Sequence, residues 1–409
     1  MNQPAEPSTD RVGSSYAERA VTPARLIALY LPQYFPIPEN DAWWGPGFTE
    51  WTNVAKAKPL FPGHAQPKLP ADLGFYDLRV PETRRRQAEL ARGCGIEGFC
   101  YWHYWFGNGR RILERPFEEV LGSGEPDFPF CLAWANQSWT GIWHGSPRTV
   151  LVEQTYPGLE DEIAHFQWAL KAFRDPRYMR VDGKPIFAIF APHDLPSTEA
   201  FIGHWRRLAE QNGLPGIYFV AISNIYKPGV NRYHGPILAP FDAVTPLTPQ
   251  DYLETANLRA VKKKSFGQRV RRALARRIKE RDFRLRLPRE PWQIDYADVV
   301  AHALEDLPDA TRFLPSVLPN WDNTPRSGVR GVVYQGATPE LFRRYLDKAI
   351  EKVQNRPPEQ AIIFIKAWNE WAEGNYLEPD ATYGHARMDV VRSALKAGLD
   401  GPARPAREP

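Results

Sequence analysis

Sulfur is scarce in this 409-residue chain, which has three cysteines and three methionines. Cys94, Cys100 and Cys131 are too few, and odd in number, for a disulfide framework. All three lie in or beside apolar runs and are expected to be small buried hydrophobes. No Cys-x-x-Cys or His-Glu-x-x-His spacing occurs, so no protein-built metal site is expected. No Gly-x-Gly-x-x-Gly follows the first strand-like run, and no cofactor is expected. Asp-x-Asp, the metal–nucleotide clamp of many sugar-nucleotide transferases, is also missing. No stretch of 18 apolar residues is present, and the polar N-terminus lacks an apolar run of signal-peptide length. The expectation is a cytoplasmic protein.

What the chain does have is aromatic surface and proline: 14 Trp, 17 Tyr, 21 Phe and 40 Pro. Eight short apolar runs have strand length and β-branched or aromatic character: 26–31, 96–103, 128–135, 185–190, 217–222, 241–245, 313–318 and 361–367. Between most of them lie amphipathic helical patterns, over 81–92 (with Gly93 as its C-cap), 159–173, 197–211, 296–307, 339–353 and 388–397. Strands alternating with helices give a parallel sheet, and eight of them predict a single (β/α)₈ TIM barrel over 25–400. A doubly wound open sheet is the alternative. Residues 1–24 and 401–409 are Ser/Pro/Glu-rich and Pro/Arg/Ala-rich, and are expected to be disordered.

A barrel carries its active site at the C-terminal ends of its strands. The chemically distinctive residues fall there: Tyr34 after the first run, Trp102, His103 and Tyr104 at the end of the second, Trp134, Asn136 and Gln137 after the third, and Asn320 after the seventh. After the eighth comes Trp368-Asn369-Glu370-Trp371-Ala372-Glu373-Gly374. Two carboxylates three apart on a helical turn face one side and perturb each other, so one ionises readily and the other holds its proton. Such a pair suits making or breaking a glycosidic bond, and Trp368 and Trp371 can cover sugar faces. The alternative is two solvated acids, with Asn369 capping a helix. Trp44 and Trp51 lie in a long Pro- and Gly-rich connection after the first run, expected to wall or cover the cleft. His103 bonds a sugar hydroxyl, orients a carboxylate, or is a satisfied core histidine. Asn136, Gln137 and Asn320 are candidate hydroxyl readers.

Charge is concentrated in one segment. Residues 259–289 hold 14 Lys and Arg and two acids. Removing them from the totals of 52 and 48 leaves 38 bases against 46 acids. Phe266, Val270, Leu274 and Ile278 at spacing four predict an amphipathic helix in an insertion over about 255–292, between strands six and seven. It suits an anionic membrane surface, and so peripheral placement at the inner membrane; the alternative is a solvated helix docked on the barrel. No motif for nucleic acid accompanies it.

Trp368 to Pro379 resembles the signature of the WbsX-type polysaccharide-biosynthesis family, related to glycoside hydrolase family 99, the endo-α-mannosidases. Further matching runs are Tyr30–Tyr34, Trp43–Asn53, Leu69–Tyr76, Trp102–Phe106 and Asn320–Arg326, in order along residues 25 to 395. The resemblance implies a (β/α)₈ fold. It also implies that Glu370 is a base on a sugar 2-hydroxyl, giving a 1,2-anhydro sugar, and that Glu373 is the acid/base. Departures are Ala372, where the hydrolases carry His, and Gln137 and His144, where related sequences carry acids. They point to a different sugar.

The expected activity is cleavage or transfer of a glycosidic bond at a retaining two-glutamate site, on a surface polysaccharide or its lipid-linked precursor. The alternatives are a glycosyltransferase of O-antigen, capsule or lipopolysaccharide biosynthesis and a non-catalytic glycan-binding barrel.

Overall fold

The computed structural model describes residues 22–141, 146–223, 233–246, 290–305 and 307–397. Eight parallel strands lie where the apolar runs are: β1 (Arg25–Tyr30), β2 (Gly98–His103), β3 (Phe130–Trp134), β4 (Lys184–Ile189), β5 (Tyr218–Ile222), β6 (Ala243–Thr245), β7 (Ser316–Val317) and β8 (Ile362–Ile365). Their β-branched and aromatic side chains are buried along nearly every strand, as expected for a sheet covered on both faces. β1 to β6 pair in succession, β7 pairs with β8, and β8 pairs with β1 in the register Arg25↔Ile362. The remaining gap is bridged just before β7. There Val244 N–H donates to Arg312 O at 2.8 Å and accepts Leu314 N–H on its own carbonyl at 2.9 Å. A sheet that returns to its first strand is a barrel, so the open doubly wound alternative is excluded.

Seven helices of the described chain matter to the frame: α1 (Pro81–Cys94), α2 (Arg115–Ser123), α3 (Leu159–Phe173), α4 (Thr198–Gln211), α5 (Tyr296–His302), α6 (Pro339–Val353) and α7 (Ala386–Ala397). Their ends follow capping chemistry. Ser197 accepts from Ala200 N–H at the start of α4, and α1 runs past Gly93 to a left-handed cap at Gly95. Helix α5 ends at His302, shorter than its apolar pattern suggests. Helix α2 was not anticipated, being short, with Pro116 in its first turn and Gly122 near its end. A hairpin of Trp139–Gly141 with Ser146–Val152 also breaks the simple alternation.

All three cysteines are buried and unpaired. Residues 1–21 of the expected N-terminal arm, the tail 401–409, the basic segment 259–289 and His144 lie outside the described residues; Ala24, at the end of that arm, is buried.

Candidate active site

The chain after β8 makes one tight reversal. Asn369–Glu370 pairs antiparallel with Asn375–Tyr376, and 371–373 form a single 3₁₀ turn rather than the start of an α-helix. Gly374 closes it at φ +66°, where a Cβ would meet the backbone nitrogen of Asp322 at 2.8 Å. Asp322 N–H donates to Glu373 O at 2.7 Å, tying the β7 loop to this turn. The Asp322 carboxylate accepts from Gln66 at 2.6 Å and Thr324 at 2.6 Å, and bonds His64 at 2.9 Å. That links the β1 loop to the same point.

The reversal presents both glutamates to a cavity of about 380 Å³. Trp102 from β2 and Tyr104 just past it, Trp139 from the hairpin, Phe190 after β4, and Trp44 and Phe48 from the β1 loop make its aromatic walls. Gln33, Asn40, Glu50, Asn53, Gln137, Arg326 and Lys366 supply polar groups. Pockets of this size, largely apolar with a few convergent polar groups, suit small-molecule or sugar recognition.

Glu370 and Glu373 are 5% and 6% exposed, and their surroundings differ. Arg326 Nη1 donates to Glu373 Oε1 at 2.7 Å and to Glu370 Oε1 at 3.2 Å. Glu373 also has Lys366 Nζ at 3.5 Å and Asn375 Nδ2 at 3.4 Å from its other oxygen. Glu370 Oε2 has no hydrogen-bond partner among the described residues. Burial, then the Glu373 charge, raises Glu370 to about 7. Burial also pushes Glu373 up, but Lys366, Arg326 and Asn375 outweigh it and hold that carboxyl below its ordinary value. In the free protein, the proton that the pair takes up as pH falls through about 7 therefore resides on Glu370.

Several residues expected at the site stand behind it. The indole of Trp368 packs on Phe99 at 5.3 Å, and that of Trp371 stacks on Tyr376 at 3.8 Å; neither lines the cavity. Both indoles are fully buried in the core, while the carboxylates of Glu370 and Glu373 reach the cleft. Trp51 is buried against Trp371, with its Nε1–H on Tyr76 O at 2.7 Å. Tyr34 OH donates to Asn369 O at 2.5 Å and accepts Trp371 N–H at 3.0 Å. Asn369 and Asn136 are backbone clasps. Asn369 accepts Leu31 N–H at 2.7 Å and donates to Leu31 O at 3.0 Å; Asn136 does the same for Ala191, at 2.8 and 2.9 Å. Asn320 is buried and off the cavity lining. Trp134 donates to Trp105 O at 3.0 Å and faces α3.

His103 also points outward from the barrel. Its Nε2 lies 3.0 Å from His165 Nε2, among Trp105, Trp134 and Trp168. Burial lowers His103 to about 3 and drives His165 well below its ordinary value, so the pair is neutral, one ring donating and one accepting. Both folded values sit below the unfolded value of about 6.5, so the unfolded chain takes up protons first as pH falls. Stability is expected to be intact above about pH 6.5 and to fall by roughly 2 kcal/mol per histidine by about pH 5. Urea midpoints across this window test it, with His103→Gln flattening the slope. Parallel wild-type and variant curves would count against the pair.

Glu50, Arg326 and Lys366 were not anticipated as functional. Their sequence signals were modest: Glu50 beside Trp51, Arg326 ending the Asn320 run, and Lys366 as a lone charge in an apolar strand.

The family model described as Glycosyltransferase WbsX matches residues 26–391. A WxcX protein of Xanthomonas campestris pv. campestris, itself uncharacterised, is 38% identical over 383 residues. That match covers 92% of this chain and 50% of the relative, so the chain spans about half the length of the curated relatives it matches. Among solved structures, a glycoside hydrolase-like protein superposes with TM-score 0.54 at 14% identity, covering 94% of this chain and 97% of the other. The GH99 endo-alpha-mannosidase of Bacteroides thetaiotaomicron gives TM-score 0.52 at 14% identity, covering 92% and 98%. At such identity these two establish the barrel fold alone. Family and fold together support a glycan-acting enzyme. With the match running from β1 to within α7, the chain belongs to the WbsX glycosyltransferase family.

Proposed function

We propose that this barrel cleaves or transfers a glycosidic bond with retention of configuration, using Glu370 and Glu373. The observation that carries it is the contact of both carboxylates with one Arg326 nitrogen. It puts their oxygens no more than about 6 Å apart, close to the spacing of about 5–5.5 Å in retaining enzymes, whereas inverting pairs leave room for a water. The aromatic walls provide faces for sugar rings. In the scheme, Glu370 removes a sugar 2-hydroxyl proton as that oxygen closes on C1, and Glu373 protonates the departing oxygen. Water or a sugar hydroxyl, deprotonated by Glu373, then opens the 1,2-anhydro ring, and the 2-oxygen takes back a proton from Glu370. This order needs the tautomer opposite to the resting one, with the shared proton on Glu373 when the bond breaks. The test is turnover of a glycan panel, including mannosidic linkages, with the anomeric configuration of the first product read by NMR. An inverted product, or no turnover of any glycan, would reject the scheme.

Transfer to an acceptor hydroxyl uses the same pair, and the family's description as a glycosyltransferase favours it. We place the substrate among surface polysaccharides or their lipid-linked precursors. No helix among the described residues is long and apolar enough to cross a membrane. Contact with an anionic surface falls to the basic segment, with 14 Lys and Arg over 259–289. Deleting 267–286 is expected to weaken co-sedimentation with vesicles containing anionic lipid; unchanged binding would sink the idea.

A further inference from the structure

The cavity holds a third buried carboxylate, Glu50, which the two-glutamate scheme does not use. It stands on the first turn of the loop helix Glu50–Ala55, its backbone N–H bonded to Gln33 O at 3.2 Å and its side chain 5% exposed. Arg326 Nε donates to Glu50 Oε2 at 3.1 Å, while Nη1 of the same guanidinium serves Glu370 and Glu373. Three acids from the loops after β1 and β8 thus meet one planar cation from the loop after β7. A guanidinium has fixed donor directions, so anchoring one edge fixes where the other points.

Building on the retaining reading above, we propose that Arg326 is a positioning residue: Glu50 anchors its Nε edge so that Nη1 leans on Glu373 more closely than on Glu370. The contacts of 2.7 and 3.2 Å are that inequality. Among the described residues, the other charged or titratable groups facing the pair include Lys366, on the Glu373 side, and Tyr34 and Tyr104, near Glu370. The arrangement biases the resting proton of the pair toward Glu370, from which it passes to Glu373 before the bond breaks. Without Glu50 the guanidinium can rotate toward Glu370, and the pair loses its asymmetry.

The test reads the carboxyls directly and needs no substrate. The full chain is labelled with ¹³C at the glutamate carboxyl carbon and titrated by NMR. Glu370→Gln and Glu373→Gln identify the two resonances. In the wild type, the midpoints are expected to be well separated, Glu370 the higher. In Arg326→Gln, the Glu373 midpoint rises and the separation shrinks by about one pH unit or more. In Glu50→Gln, the Glu370 midpoint falls, again narrowing the gap, while Arg326→Lys keeps the charge but loses the two-edged grip and narrows it partially. Should Arg326→Gln fail to fold, Glu50→Gln and Arg326→Lys carry the test. A separation that stays at the wild-type value in the folded variants overturns the proposal. Titrations that behave as described in a protein that turns over no glycan would overturn the glycosidic reading and leave this assignment standing.

Discussion

Glu370→Gln and Glu373→Gln are each expected to lower turnover by about 10²–10⁴-fold, the usual worth of a positioned general acid or base. Their combination should be hardly worse than either alone, because the pair acts as a unit. Stability separates them. Near neutral pH Glu370 already carries much of the pair's proton, so a neutral amide of the same shape changes little, and the melting temperature should hold or rise slightly. Glu373 is ionised against Arg326 at 2.7 Å and Lys366 at 3.5 Å. Removing its charge breaks the closest contact of two buried cations, while Glu370, relieved of the Glu373 charge, ionises more readily and compensates in part, so the loss should be about 1–3 kcal/mol. The active pair holds one proton between two carboxyls, so the limbs of the pH–rate profile belong to the pair. As pH rises through about 7 the remaining proton leaves Glu370 and the rate should fall. As pH falls below the depressed Glu373 value a second proton binds and the rate should fall again. Thermal melts of both variants, with kcat/KM against pH for the wild type, check this. A variant that melts normally and turns over substrate like the wild type removes that glutamate from the chemistry.

The barrel was legible because its strands are buried on both faces. Residues 26–31 and 361–367 read as continuous apolar runs, and such runs survive any detail of packing. The glutamates were legible because acids are rare at the end of an apolar strand. What could not be read was facing. His103 stands between Trp102 and Tyr104 in one aromatic segment, yet a one-residue step sends alternate side chains to opposite sides. Composition marks the segment and is silent about the face. Nor could the sequence show that Glu50, Arg326 and Glu373 meet, since they lie 276 and 47 residues apart and come together only through closure of the barrel. The hydrogen-bonding amides misled for a further reason. An asparagine suits a sugar hydroxyl and a peptide group equally, because both offer one donor and one acceptor.

Asn369→Ala decides between those two partners. Asn369 lies 338 residues from Leu31 and satisfies both its N–H and its carbonyl, joining the end of β1 to the turn after β8. Leu31 is 3% exposed, so water cannot easily replace the lost amide. Two buried backbone groups left unpaired cost about 1–3 kcal/mol each. The total, roughly 2–6 kcal/mol, should lower the melting temperature by several degrees. Activity should fall as well, for Asn369 precedes Glu370 and its own carbonyl accepts Tyr34 OH, which also receives Trp371 N–H. Freeing this clasp lets the reversal drift, and a displacement of about 1 Å at a catalytic group is worth roughly 10²-fold. Asn369→Asp should not rescue it: one oxygen still accepts Leu31 N–H, but the other, where the amide nitrogen was, faces the Leu31 carbonyl without a proton to share. Asn136→Ala, which releases Ala191 from the same kind of clasp, should destabilise to a similar extent, with a milder effect on turnover because neither glutamate adjoins it. The readout is melting temperature beside the kcat and KM split. A clasp lowers stability and kcat together, whereas a sugar ligand raises KM in a protein that melts like the wild type. The second pattern at Asn369 would mean that its side chain leaves Leu31 to bind the glycan.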